Sequence, residues 1–207
     1  TIRSRLAPVG ERESVGALLA RNVERFPGHA VYSERHDGAF RGVSWEAFAR
    51  DVASFGTFLS SAGVGPGTRV AVVSANRGEM LVAEFATMGL GATYVPIFAG
   101  YPADQVQGLI ERVNPTVVIV AGRDQLAGVC FTGATHALIT FESLGQEMVE
   151  PLLRGTTVRH ASFRDALAQC AASDAQRAAF LAAAAGVDPL TPCLLNFTSG
   201  TSGALKG

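Results

Sequence analysis

The chain has 207 residues, 48% hydrophobic and 17% charged, a balance that suits a well-buried α/β core and excludes a disordered protein. Its net charge of −1, with no basic block, leaves no electrostatic footprint for nucleic acid or an anionic membrane surface. Three scattered cysteines, no apolar leader after Thr1 and no membrane-length apolar stretch read as a cytoplasmic protein with reduced thiols, peripheral membrane contact remaining open.

Val15, Leu18, Leu19, Val23 and Phe26 recur at helical spacing, with Ser14 placed to cap the helix and Pro27 to stop it. Two strand-like runs follow, residues 30–34 and 39–43, and Asp37-Gly38 between them predicts a hairpin turn. Ser44 caps a second helix, in which Trp45, Phe48, Val52, Phe55, Leu59 and Ala62 form an apolar stripe read as core packing. Gly63, Gly65 and Gly67 end that helix ahead of a strand, so they are cap and turn residues rather than a nucleotide loop.

The middle of the chain repeats one theme. Apolar strand-like runs at 69–75, 93–98, 116–120 and 136–141 alternate with helical segments at 79–90 and around Val106, Leu109, Ile110 and Val113. Continuously apolar strands separated by helices predict an α/β fold: a mostly parallel sheet with helices on both faces and right-handed crossovers. Residues 142–190 carry weaker signals, with helices expected at 162–170 and 174–185 on a surface excursion. A strand is expected again at Cys193 to Phe197.

Directly after it comes Phe197-Thr198-Ser199-Gly200-Thr201-Ser202-Gly203-Ala204-Leu205-Lys206-Gly207. Glycines let the backbone approach an anion closely, successive N–H groups form a concavity for it, and hydroxyls and an ammonium add donors. Beyond the carboxyl end of a parallel strand is where ligands bind in open sheets. A flexible Gly/Ser linker is the competing reading. The spacing fits neither a Walker A loop nor a dinucleotide fingerprint. His29, His36, His136 and His160 are far apart and not at metal-ligand spacing, and no G-x-S-x-G elbow or carboxylate pair is present. Asn76-Arg77, just past a strand's carboxyl end, reads either as ligand-facing or as a helix cap with a solvated arginine.

The stretch 197–207 resembles the [YF]-T-S-G-[ST]-[TS]-G-x-P-K-G phosphate loop of the adenylate-forming enzymes, with Leu205 in place of the usual proline. Leucine there neither removes a donor nor blocks the path. Ser44-Trp45-Glu46, Gly65-Pro66-Gly67-Thr68-Arg69-Val70-Ala71, Ser74-Ala75-Asn76-Arg77 and Leu90-Gly91-Ala92-Thr93-Tyr94-Val95-Pro96-Ile97 are also similar to the family's N-terminal half. Within the family the chain looks most like long-chain fatty acyl-CoA synthetases. The resemblance implies that residues 1–207 are the N-terminal part of an AMP-binding large domain ending at the phosphate loop, with the main catalytic residues beyond Gly207.

It further implies ATP-dependent activation of a carboxylic acid, in this subfamily a long-chain fatty acid, to an acyl-adenylate that is passed to coenzyme A. By the same resemblance Thr198, Ser199, Gly200, Thr201, Ser202, Gly203 and Lys206 hold the ATP phosphates, and Thr198 also touches magnesium. An enzyme loading amino or aryl acids onto a carrier protein, or a non-catalytic nucleotide-binding homologue, are the alternatives.

Overall fold

The computed structural model describes residues 12–199 and 205–206. Helix α1 (Val15–Arg25) starts at Ser14, whose Oγ accepts the Ala17 N–H at 3.0 Å. Strands β1 (Ala30–His36) and β2 (Ala39–Ser44) form the expected hairpin. Asp37 and Gly38 both take positive φ, 49° and 82°, the geometry of a type I′ turn. Ser44 then caps α2 (Trp45–Ser61), and Phe48, Val52, Phe55 and Leu59 on its inner stripe are fully buried.

Five parallel strands make the main sheet: β3 (Arg69–Ser74), β4 (Thr93–Phe98), β5 (Val117–Val120), β6 (Ala137–Thr140) and β7 (Arg159–Ser162), in the order β4-β3-β5-β6-β7. Their side chains alternate between two cores. Val70, Val72, Val117, Ile119 and Ile139 pack on one face, against α1, α2 and α3 (Gly78–Gly89). Ala71, Val73, Val118, Val120 and Leu138 pack on the other, against α4 (Ala103–Val113) and α5 (Gln146–Leu153). Burial on both faces explains the unbroken apolar runs, each valine, leucine or isoleucine contributing about 1.5–3 kcal/mol.

Residues 142–190 are more integrated than the expected excursion. They supply α5 and the edge strand β7, neither legible in the sequence, as well as α6 (Phe163–Gln169) and α7 (Asp174–Ala185). β7 reads Arg-His-Ala-Ser; an edge strand needs ladder partners more than apolar side chains, so it leaves no hydrophobic signature. Helix α7 keeps an exposed outer side but docks firmly. The Phe180 ring lies against Gly56 of α2 and Gly89 of α3, and Ala184 is fully buried against Gly16 of α1. The cysteines are free, and Cys193 and Cys130 pack against the two cores as small apolar groups.

The strand expected at Cys193 to Phe197 is shortened to one bridge. Tyr94 N donates to Cys193 O at 2.9 Å and Leu195 N to Tyr94 O at 3.0 Å, a parallel addition to the free edge of β4. The next outward-facing donor on β4 would be residue 96, a proline without an N–H. The ladder ends there.

A Cβ at Gly16 would overlap the carbonyl group of Ala184. Helix propensity favours alanine over glycine by about 1 kcal/mol, whereas forcing atoms into a close-packed contact costs about 1–3 kcal/mol. Gly16→Ala is therefore expected to lower the melting temperature by a few degrees; a rise in thermal unfolding would show that α1 and α7 are not in such close contact.

Candidate functional site

Because the five strands are parallel, all their carboxyl ends lie on one edge. The chain leaves β3 toward the face carrying α3, and leaves β5 through a 3₁₀ turn (Arg123–Gly128) packed on the opposite face through Leu126. Connections that diverge from neighbouring strands open a crevice, the usual ligand position in such sheets.

The crevice is held by Arg77. Its Nε and Nη2 donate to the two carboxylate oxygens of Glu79, both at 2.9 Å. Its Nη1 lies 3.7 Å from Glu142, beyond the end of β6, and the guanidinium sits 5.3 Å from the centre of the Phe141 ring. The pairing with Glu79 raises the arginine's pKa. Burial acts against the Glu79 charge, but the Arg77 hydrogen bond and positive charge outweigh it and hold the carboxyl below its ordinary value. The solvated-arginine reading is thus corrected: Arg77 is two-thirds covered and bidentately paired. The helix-cap reading of Asn76 is corrected too. Arg77 occupies the N-cap position of α3 without a side-chain cap, and Glu34 Oε1 accepts the Gly78 N–H at 3.1 Å instead.

Three cavities follow one another along this edge. A cavity of about 780 Å³ between β1 and α3 is rimmed by Glu34, Glu79 and Glu84, with Tyr32 and Arg77. Burial, then the Glu34, Asp51 and Glu79 carboxylates, push the Tyr32 phenol up to about 12. Burial raises Glu84 as well, and burial followed by the Glu84 charge raises Tyr94, whose enclosed hydroxyl has no hydrogen-bond partner among the described residues. Arg35 also lines this cavity, so its charged lining is three glutamates and two arginines. On one side it shares Arg77 and Glu79 with a cavity of about 830 Å³ walled by Phe141, Phe163 and Arg164. On the other it shares Asn76 and Met80 with a cavity of about 250 Å³ that reaches Asn196 and Phe197.

From Phe197 the chain runs into a small hairpin. Strand β8 (Thr198–Ser199) pairs antiparallel with β9 (Leu205–Lys206), Thr198 opposite Lys206 and Ser199 opposite Leu205. The register brings the backbones of Thr198, Ser199 and Lys206 together; Gly200, Thr201, Ser202 and Gly203 lie outside the described residues. Thr198 is exposed. What sequence reasoning missed on this edge are the charged rim and the Arg77 pairing, since Glu34, Glu79 and Glu142 come from three separate parts of the chain and only the fold brings them near one another.

The model of the AMP-binding enzyme family matches residues 19–207. The chain belongs to the AMP-binding enzyme family. It is 31% identical to the long-chain-fatty-acid–CoA ligase FadD15 of Mycobacterium bovis over 204 residues, which is 96% of this chain and 31% of that protein. A 3-[(3aS,4S,7aS)-7a-methyl-1,5-dioxo-octahydro-1H-inden-4-yl]propanoyl:CoA ligase of Rhodococcus jostii is 35% identical over 160 residues, 75% of this chain and 30% of that one. Among solved structures, the adenylation domain of a carboxylate reductase from Mycobacterium chelonae superposes with a TM-score of 0.67 at 20% identity, covering 97% of this chain and 34% of that one. The chain thus spans about a third of the length of these relatives. Among the described residues, no helix is long and apolar enough to cross a membrane.

The Arg77–Glu79 pair has a pH signature. A carboxyl held low in the folded state stabilises the fold above its ordinary value of 4.5 and loses that contribution as acid protonates it. Thermal melts between pH 7 and pH 3 are expected to show a shallower loss of stability below that value for Glu79→Gln than for the parent chain; identical acid limbs would mean the pair carries no linkage.

Proposed function

We propose that this chain is the N-terminal part of the large domain of an acid–thiol ligase that activates a carboxylic acid, foremost a long-chain fatty acid, with ATP. The substrate's carboxylate oxygen bonds to the α-phosphorus of ATP as the bond to pyrophosphate breaks. The thiol of coenzyme A then bonds to the acyl carbon and AMP departs. The carrying observation is the hairpin that pairs Thr198 with Lys206 beyond the β4 edge, in a chain whose family match runs from residue 19 through that hairpin. The similarity to the two CoA ligases supports coenzyme A as acceptor and a large apolar acid as substrate.

In this reading Thr198, Ser199, Gly200, Thr201, Ser202 and Gly203 hold the β- and γ-phosphates through backbone N–H groups and hydroxyls, and Lys206 adds a mobile positive charge. Negative charge grows on those phosphates as pyrophosphate leaves, and donors already fixed around them stabilise it without reorganising. The antiparallel register suits this task, because it closes the loop's two ends on each other and sets the lysine's backbone opposite the first hydroxyl. The Thr198 hydroxyl, exposed on the hairpin, is an oxygen donor of the kind magnesium takes. Magnesium, when bound there, would neutralise part of the phosphate charge.

Two measurements on the complete enzyme test the proposal. ATP–pyrophosphate exchange with carboxylic acids of graded length is expected to be strongest with long-chain acids; no exchange with any acid overturns it. Lys206→Ala is expected to slow adenylation by about 10²–10³-fold, the scale of losing one preorganised charge-stabilising group, while thioester formation from preformed acyl-adenylate changes little. Equal losses in both half-reactions would remove Lys206 from its assigned role.

A further inference from the structure

Asn76 stands at the N-terminal approach to α3, where an asparagine ordinarily accepts an unpaired helix N–H. Here it does not. The cap position belongs to Arg77, the Gly78 N–H is taken by Glu34, and no described residue hydrogen-bonds the Asn76 side chain, which is exposed. Its neighbour is fixed by the bidentate pair with Glu79, so the backbone carrying Asn76 is held in place while the carboxamide itself is left free.

Asn76 lines both the 780 Å³ and the 250 Å³ cavities. The smaller one is distinctive. Its polar groups are Ser74, Asn76, Tyr101 and Asn196, and no acidic or basic side chain borders it. Asn196 also lacks a side-chain hydrogen bond among the described residues, and it lies two residues before Thr198. Whole-ligand pockets span about 300–1,000 Å³, so 250 Å³ accommodates one portion of a ligand that continues elsewhere.

We propose that Asn76, with Asn196, contacts an uncharged hydrogen-bonding portion of a ligand whose phosphates lie on the hairpin. This rests on the adenylation reading of that hairpin. Two unpaired carboxamides offer both donors and acceptors, which suit hydroxyls or amides. An ionised carboxylate would find no counter-charge in this cavity. Two sources carry the fitting chemistry: the sugar hydroxyls of the nucleotide, or the amide-bearing arm of the thiol acceptor.

The test is Asn76→Ala in the complete enzyme, with KM determined for ATP, acid and thiol separately. One lost hydrogen bond to an uncharged partner predicts a rise of up to about tenfold in KM. A rise for ATP assigns the contact to the nucleotide and a rise for the thiol assigns it to the acceptor. The melting temperature is expected to stay within about 2 °C, as for an exposed side chain without partners. Unchanged KM for both ATP and thiol, a rise for the acid alone, or a larger fall in melting temperature would overturn the assignment. If the parent enzyme exchanges pyrophosphate with no acid, the adenylation reading fails by itself. Asn76 is then read by titrating the isotope-labelled protein with AMP and with pantetheine, and a side-chain amide signal unmoved by either defeats the proposal.

Discussion

Strand β3 pairs in parallel on both sides, residue for residue, with β4 on one flank and β5 on the other. Parallel neighbours cannot be joined by a tight turn, so each pairing requires a crossover over one face of the sheet. With β4 to one side and β5 to the other, right-handed crossovers must lie on opposite faces, α3 on one and α4 on the other. The two cores, the alternation of valines between them and the crevice at the carboxyl edge all follow from that double pairing.

Charge then divides the edge into regions. Arg77 spans from the end of β3 toward the end of β6, drawing Glu79 and Glu142 around itself, so the crevice carries its own internal counter-ions. The adjoining cavity adds Glu34, Glu84 and Arg35 to the lining. Toward Asn196 and Phe197 the lining becomes uncharged, and beyond it begins the hairpin with its lysine. The charged side chains are thus gathered near the centre of the sheet, and the lining toward the β4 edge is uncharged. At that edge Pro96 ends the ladder after Leu195, which releases the chain to turn into the hairpin instead of continuing as a sixth strand.

The elements legible in the sequence are those whose local chemistry and tertiary role agree. Ser14 and Ser44 cap helices because short hydroxyl side chains reach the N–H groups of the first turn, and Asp37-Gly38 turns because both residues tolerate positive φ. The strands from Arg69 to Thr140 announce themselves by being buried on two faces. By contrast, β7 is polar, and α5 contains Pro151 in its last turn, so neither carries its usual signature. The stretch 197–207 stood out as a composition and a resemblance, but the pairing of Thr198 with Lys206 did not. Least visible was the environment of Arg77. Its partners Glu79 and Glu142 are separated by 63 positions in the chain, and nothing local marks them as neighbours.

One contact also orders events in time. Ser14 Oγ donates toward the carbonyl oxygens of Ala184 and Ala185, at 3.4 and 3.5 Å, across a separation of about 170 residues, and Gly16 lies against the same turn of α7. Helix α1 therefore cannot reach its final seat while the chain is still being made through the sheet. During synthesis its apolar stripe, Val15, Leu19 and Val23, waits without its α7 partner, although α2 and α3 are already available to cover part of it. Helix α1, made before α7, is locked in place only once α7 has been made.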